Sequence, residues 1–165
     1  MNKFGNPSVF HADVRCEANA VLAGATNITG SLTIVGSSVI KKIVKTVGVA
    51  SFTDGGSTSG TYALTDAIPI GATVLCSKVR EVTGFAGDTT AVMTIGDGSD
   101  ADRYNTSTIN VFTTAANGVA TGVPSGVQYH DTAKYPTLTV TGGADFTSIK
   151  SNGLGSVTVE IDYIA

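Results

Sequence analysis

Three aspartates, Asp97, Asp100 and Asp102, fall within six residues of Gly96-Asp-Gly-Ser-Asp-Ala-Asp-Arg-Tyr104, the most acidic stretch of the chain. Oxygen ligands at that density could chelate a hard cation such as Ca²⁺. The spacing departs from the helix–loop–helix calcium loop: counted from Asp97, positions three and twelve are Ser99 and Thr108, and position six, where a glycine turns the chain, is Asp102. The residues fit a tight turn better, with Asp side chains capping backbone amides and Arg103 pairing with one of them. No metal is assigned to it.

The remaining reactive residues are sparse. His11 and His130 are the only histidines. His11 has Asp13 and Cys16 nearby but lacks the second Cys/His pair of a tetrahedral zinc site. His130, between Tyr129 and Asp131, lies in a stretch read as loop, where a solvated or interface position is expected. Serines and aspartates abound, yet no Gly-x-Ser-x-Gly elbow supports a triad. Glycoside hydrolysis needs two carboxylates across a cleft, one with a raised pKa. Of Glu17, Glu81 and Glu160, the last is expected to alternate outward on the final strand, and Glu81 follows Arg80. Cys16 and Cys76 are far apart and read as free thiols. No phosphate-cradling glycine loop precedes a helix. The residues thus point to no enzyme and no cofactor.

The elements holding these residues are strands. Hydrophobic residues make up 42% of the 165, with Val, Ile and Ala prominent among them, and Thr and Ser fill much of the space between. β-branched side chains suit a pleated sheet and lose rotamer freedom in a helix. Twenty glycines and four prolines supply frequent turns. Only 14% of residues are charged, and mean hydropathy is +0.22. Such a chain is expected to have surface that partners cover. A net charge of -3 argues against nucleic acid, and Lys41, Lys42 and Lys45 are too short a basic cluster to reverse that. No apolar run approaches the roughly 20 residues of a membrane span. The start, Met1 to Pro7, lacks the apolar region of a signal peptide, so folding in a reducing cytoplasm is expected.

Along the chain, Asp13 to Leu22 could form one or two helical turns, weakened by Asn19 and Val21. Gly24, Gly30 and Gly36 then recur every sixth residue, with Ile28, Leu32 and Ile34 alternating against Thr29, Ser31 and Thr33. That rhythm fits a β-solenoid rung or an intertwined β-prism, which must stack on copies of itself or on a partner. An ordinary hairpin is the other reading. From Ile43 onward, short alternating segments recur: Val44–Val49, Thr61–Leu64, Val74–Phe85 (one long strand or two short ones), Ala91–Ile95, Ile109–Phe112, Thr137–Val140 and Val157–Tyr163. Seven to nine such strands predict an all-β, antiparallel β-sandwich or jelly-roll-like domain preceded by a glycine-punctuated β arm. Thr113 to Gly122 and Pro124 to Asp131 read as loops.

The run Asn27-Ile-Thr-Gly-Ser-Leu-Thr-Ile-Val-Gly36 resembles the glycine-punctuated segments of phage tail and head fibres, where three chains wind together. Ile68-Pro-Ile-Gly-Ala-Thr-Val74, with Thr94 through Tyr104, is similar to small sandwich domains of phage virion proteins. These motifs cover less than a third of the chain. The resemblance implies a virion structural protein: a homotrimer that decorates a capsid or projects from it, against the major capsid protein or another virion component. About three glycine periods favour a compact decoration or cement subunit over a long shaft.

The expected organisation is an anchoring or trimerising arm over 1–42 and a β-sandwich over 43–165. Phe4, Phe10, Val21, Leu22, Ile28, Leu32 and Ile34 are the candidate interface residues. The competing function is a carbohydrate-recognising host-attachment module. No Trp and only five scattered tyrosines weaken it, because sugar sites commonly present aromatic platforms.

Overall fold

The computed structural model describes residues 40–116, 120–122, 124 and 129–165. Among the described residues nine strands run in chain order: β1 (Ile40–Gly48), β2 (Thr53–Asp54), β3 (Ser59–Ala63), β4 (Thr73–Arg80), β5 (Ala91–Gly96), β6 (Ile109–Asn110), β7 (Ala120–Gly122), β8 (Thr137–Gly142) and β9 (Ser156–Ile164). They pair into two antiparallel sheets, ordered β1-β9-β4-β7 and β2-β3-β8-β5-β6. The fold is an all-β antiparallel sandwich.

Period-2 alternation decides which face each strand buries. In β9, Val157, Val159 and Ile161 turn inward and are fully buried. Ile43 and Val47 of β1, and Val74 and Val79 of β4, line the same inner face. Met93, Ile95, Leu138 and Val140 close the core from the second sheet. Burying a side chain of this size contributes about 1.5–3 kcal/mol. Phe52, after a short 3-10 turn at Val49–Ser51, is the aromatic hub. Its ring lies 5.8 Å from Phe85 in an edge-on contact and 6.1 Å from Phe146.

Among the described residues there is one α-helix, α1 (Phe146–Asn152), where the sequence predicts none. Its boundary signals are explicit: the Asp145 carboxylate caps the Thr147 amide at 2.9 Å, and Gly153 ends it with φ +68°. Seven residues show only one apolar repeat, Phe146 and Ile149, so periodicity could not reveal the helix. Both side chains are buried, and Phe146 packs so closely on Gly60 that a Cβ there would run into its ring.

Two other differences are local. The segment 74–85, read as one long strand or two short ones, holds β4 up to Arg80; Glu81 takes a left-handed φ of +55° that breaks the ladder, and beyond it Val82 makes a single bridge to Ala115. The loop expected over 113–122 holds β7, whose Ala120–Gly122 pair with Ser77–Val79. Three residues are too few to show alternation.

The seven candidate interface residues, Phe4, Phe10, Val21, Leu22, Ile28, Leu32 and Ile34, lie outside the described residues. So do His11, Cys16, the helical turns expected over 13–22 and the glycine repeat. Of the segment 1–42, Ile40, Lys41 and Lys42 are described, and all three run in β1.

Candidate functional site

Two polar clusters stand out, one inside the sandwich and one on its outer face. The inner one begins where β5 ends. Gly96 is pressed against the backbone of Asp100 and Ala101, with no room for a side chain, and Gly98 turns the chain at φ +85°. The Asp97 Oδ1 atom accepts from the Ser99 amide (3.1 Å), the Ser99 hydroxyl (2.7 Å) and the Asp100 amide (3.0 Å). Its other oxygen, Oδ2, faces Arg103 Nε at 3.1 Å and Lys134 Nζ at 3.7 Å. The Arg103 contact is close but not aligned as a hydrogen bond, so both atoms are buried without one. The attraction is one of charge, in a site where the Asp97 side chain is fully buried. Burial pushes the Asp97 carboxyl up, but the Ser99 and Asp100 hydrogen bonds and the Arg103 charge outweigh it, leaving the carboxyl below its ordinary value.

The aspartate turn is therefore a capped turn with Arg103 as the partner of Asp97. Asp102 is exposed and Asp100 half-buried. Among the described residues no three potential ligands come together for a metal ion. The oxygen that points inward already faces two cations.

Deeper in the same cluster, Tyr104 and His130 meet. The Tyr104 hydroxyl lies 2.8 Å from His130 Nε2, and the rings cross at 82° with centroids 5.6 Å apart. His130 is 2% exposed, which corrects the expectation of a solvated or interface position. The long-range pairing of Ile68 with Lys134 folds its segment back onto the sandwich. The Tyr104 carbonyl accepts from the buried Ser77 hydroxyl at 2.6 Å. Burial, then the charges of Arg103 and Lys134, hold the His130 imidazole below its usual pKa against the pull of Asp97. Burial likewise pushes the Tyr104 phenol up.

The outer cluster covers the solvent side of the β1-β9-β4 sheet. Register sets Lys42 opposite Asp162, and Asp162 opposite Cys76; one step along, Lys78 faces Glu160. Glu160 Oε1 accepts from Lys42 Nζ (2.6 Å) and Lys78 Nζ (3.1 Å). Asp162 Oδ2 accepts from Lys78 Nζ at 2.6 Å and from the Cys76 thiol at 3.4 Å. Arg80 bonds Glu81, and Glu81 accepts from the Thr158 hydroxyl at 2.7 Å. Glu160 points outward, as its alternation predicts, yet is 8% exposed because the lysine stems lie over it. Lys42 and Lys78 hold the Glu160 carboxyl below its ordinary value. Burial opposes the same effect at Asp162, and the Lys78 bond prevails. Both shifts run opposite to what a general acid needs.

Sequence reasoning missed this cross-strand network, although its signal was present. Lys78 and Arg80 are spaced by two, as are Glu160 and Asp162. Complementary charges at matched i, i+2 spacing mark two segments as sheet neighbours. Beyond the charges, Ile40, Ile164, Thr73 and Tyr129 are paired in one row across the end of the same face. Ile40 is 63% and Tyr129 55% exposed.

A comparison with protein-family models and with curated proteins gives no match. Among solved structures, the chain is similar to a chain of the cyanophage Pam1 capsid asymmetric unit, with a TM-score of 0.55 and 17% identity. The alignment covers 84% of this chain and 93% of that one, so the two share a fold across most of their lengths.

Proposed function

We propose that this chain is a non-enzymatic structural protein of a phage virion, a decoration or cement subunit that reinforces or coats the shell through oligomeric interfaces. The observation behind it is the shared fold with a chain of a phage capsid asymmetric unit, spanning 84% of this chain and 93% of that one. A match of that extent is to a whole small chain rather than to one domain of a large subunit. The low charge of this chain and the exposed row containing Ile40 and Tyr129 support the same reading, because both leave surface for a partner to cover. In this proposal the segment before β1 anchors or trimerises, the sandwich begins with β1 at Ile40 rather than at Ile43, and the partners are copies of the chain and a capsid or other virion protein.

The mechanism is mass action. A subunit that binds only the assembled shell shifts the equilibrium toward it, by about 2.7 kcal/mol per site at a free concentration 100 times its Kd. Light scattering on the purified chain tests the oligomeric part. The proposal expects three times 16.7 kDa, and a monomer at all concentrations contradicts it.

A specific observation favours a second reading, carbohydrate recognition by an attachment module. Tyr129 and Tyr135 are each more than half exposed, at 55% and 54%, as sugar-stacking platforms would be. A glycan array separates the readings: saturable binding that Tyr129→Ala or Tyr135→Ala abolishes would favour attachment.

A further inference from the structure

The segment Tyr129–Lys134 is held to the turn Ile68–Ala72 by four backbone hydrogen bonds. Gly71 donates to the His130 carbonyl (2.8 Å) and His130 donates to the Ala72 carbonyl (3.0 Å). Ile68 and Lys134 exchange the other two, at 2.8 and 3.0 Å. His130 thus joins the two segments through its main chain while its side chain reaches inward to Tyr104. We propose that His130 is an acid-triggered latch: the neutral imidazole holds the two segments together and onto the sandwich, and its protonation releases them.

The argument is one of proton positions in a buried site. If Nε2 accepts from the Tyr104 hydroxyl, a proton on Nε2 reverses the bond, and the phenol hydrogen loses its partner. If Nε2 already donates, the added proton sits on Nδ1, which has no hydrogen-bond acceptor among the described residues. The first case leaves the buried phenol hydrogen unpaired, which costs about 1–3 kcal/mol, and the second places a full charge on a ring that is 2% exposed. The charged neighbours make the imidazolium still less welcome. Arg103 and Lys134 repel it. Asp97 attracts it, but is already shared between those two cations. Asp131 also attracts it, yet is exposed and solvent-screened. Tyr104, the remaining titratable group, stays neutral throughout this range.

The direction in pH follows from linkage. Burial lowers the pKa of the folded state, so the released state takes up the proton first. The latch is closed above about pH 6.5, the ordinary histidine value, and weakens as pH falls toward the depressed one. Over that interval the opening constant rises about tenfold per pH unit.

Amide hydrogen exchange at Gly71 and His130, normalised to intrinsic rates between pH 7.5 and 5, reads this opening. The expected result is protection that falls by up to about tenfold per unit below pH 6.5 in the native chain, and a flat profile in His130→Gln. Should that variant fail to fold, the His130 imidazole resonance of the native chain decides alone, with a midpoint below 6.5 expected. Constant protection in the native chain, the same loss in His130→Gln, or an imidazole midpoint at or above 6.5 would overturn the latch.

Discussion

The inner cluster of Asp97, Arg103, Tyr104 and His130 and the outer cluster of Lys42, Lys78, Glu160 and Asp162 use similar side chains under different solvation. In the inner one the Asp97 side chain is fully buried, and its partners Arg103 and Lys134 are about one-third exposed or less. In the outer one the carboxylates are shielded, but Lys42 is 48% and Lys78 36% exposed. Water screens the outer pairs and reaches the inner ones poorly, so one interaction type differs severalfold in energetic weight between them. Breaking an inner pair strands a charge; breaking an outer pair hands it to solvent.

Substitutions should expose that gradient. Asp97→Ala has the largest expected effect, because it uncaps Ser99 and Asp100 and leaves Arg103 and Lys134 without the buried carboxylate they share. Urea denaturation should show a loss of about 3–5 kcal/mol, the range for breaking a buried pair from one side. Tyr104→Phe deletes only the hydroxyl facing His130 and should cost about 1–2 kcal/mol. Glu160→Gln, on the outer face, should cost about 1 kcal/mol at low salt and less at 1 M salt, where Asp97→Ala keeps its full effect. If Glu160→Gln proved as costly as Asp97→Ala and insensitive to salt, the contrast between the faces would fail.

Acid adds a smaller test of the outer face. The Glu160 carboxyl has a lowered folded-state pKa, so its contribution is complete above the unfolded value of about 4.3 and disappears as pH falls through the lowered one. A pH titration of thermal stability should therefore show a shallower fall below pH 4.3 in Glu160→Gln than in the native chain. Equal slopes would mean that the lysines contribute nothing at this position.

The same contrast explains how much was legible in the sequence. Val157, Val159 and Ile161 alternate so regularly that β9 and its buried face could be read directly. The outward direction of Glu160 followed too, but not its burial, which depends on lysines brought alongside from β1 and β4. Three places resisted for physical reasons. α1 is too short to show a period, and its Asp145 and Gly153 signals recur throughout a chain rich in both residue types. β7 has no pattern of its own and pairs because β4 offers an edge. His130 sits in a polar stretch and is buried by the pairing of Ile68 with Lys134, a contact between residues more than sixty positions apart. The capped Asp97 turn, by contrast, was readable, since Asx capping is local.

Co-sedimentation with capsid shells lacking this chain tests the virion role most directly. The proposed role predicts that the full chain pellets with shells at a saturable ratio, and that residues 40–165, which contain all nine described strands, remain folded but stay in the supernatant. A full chain that stays in the supernatant at every concentration, or a truncated one that binds equally well, would contradict it.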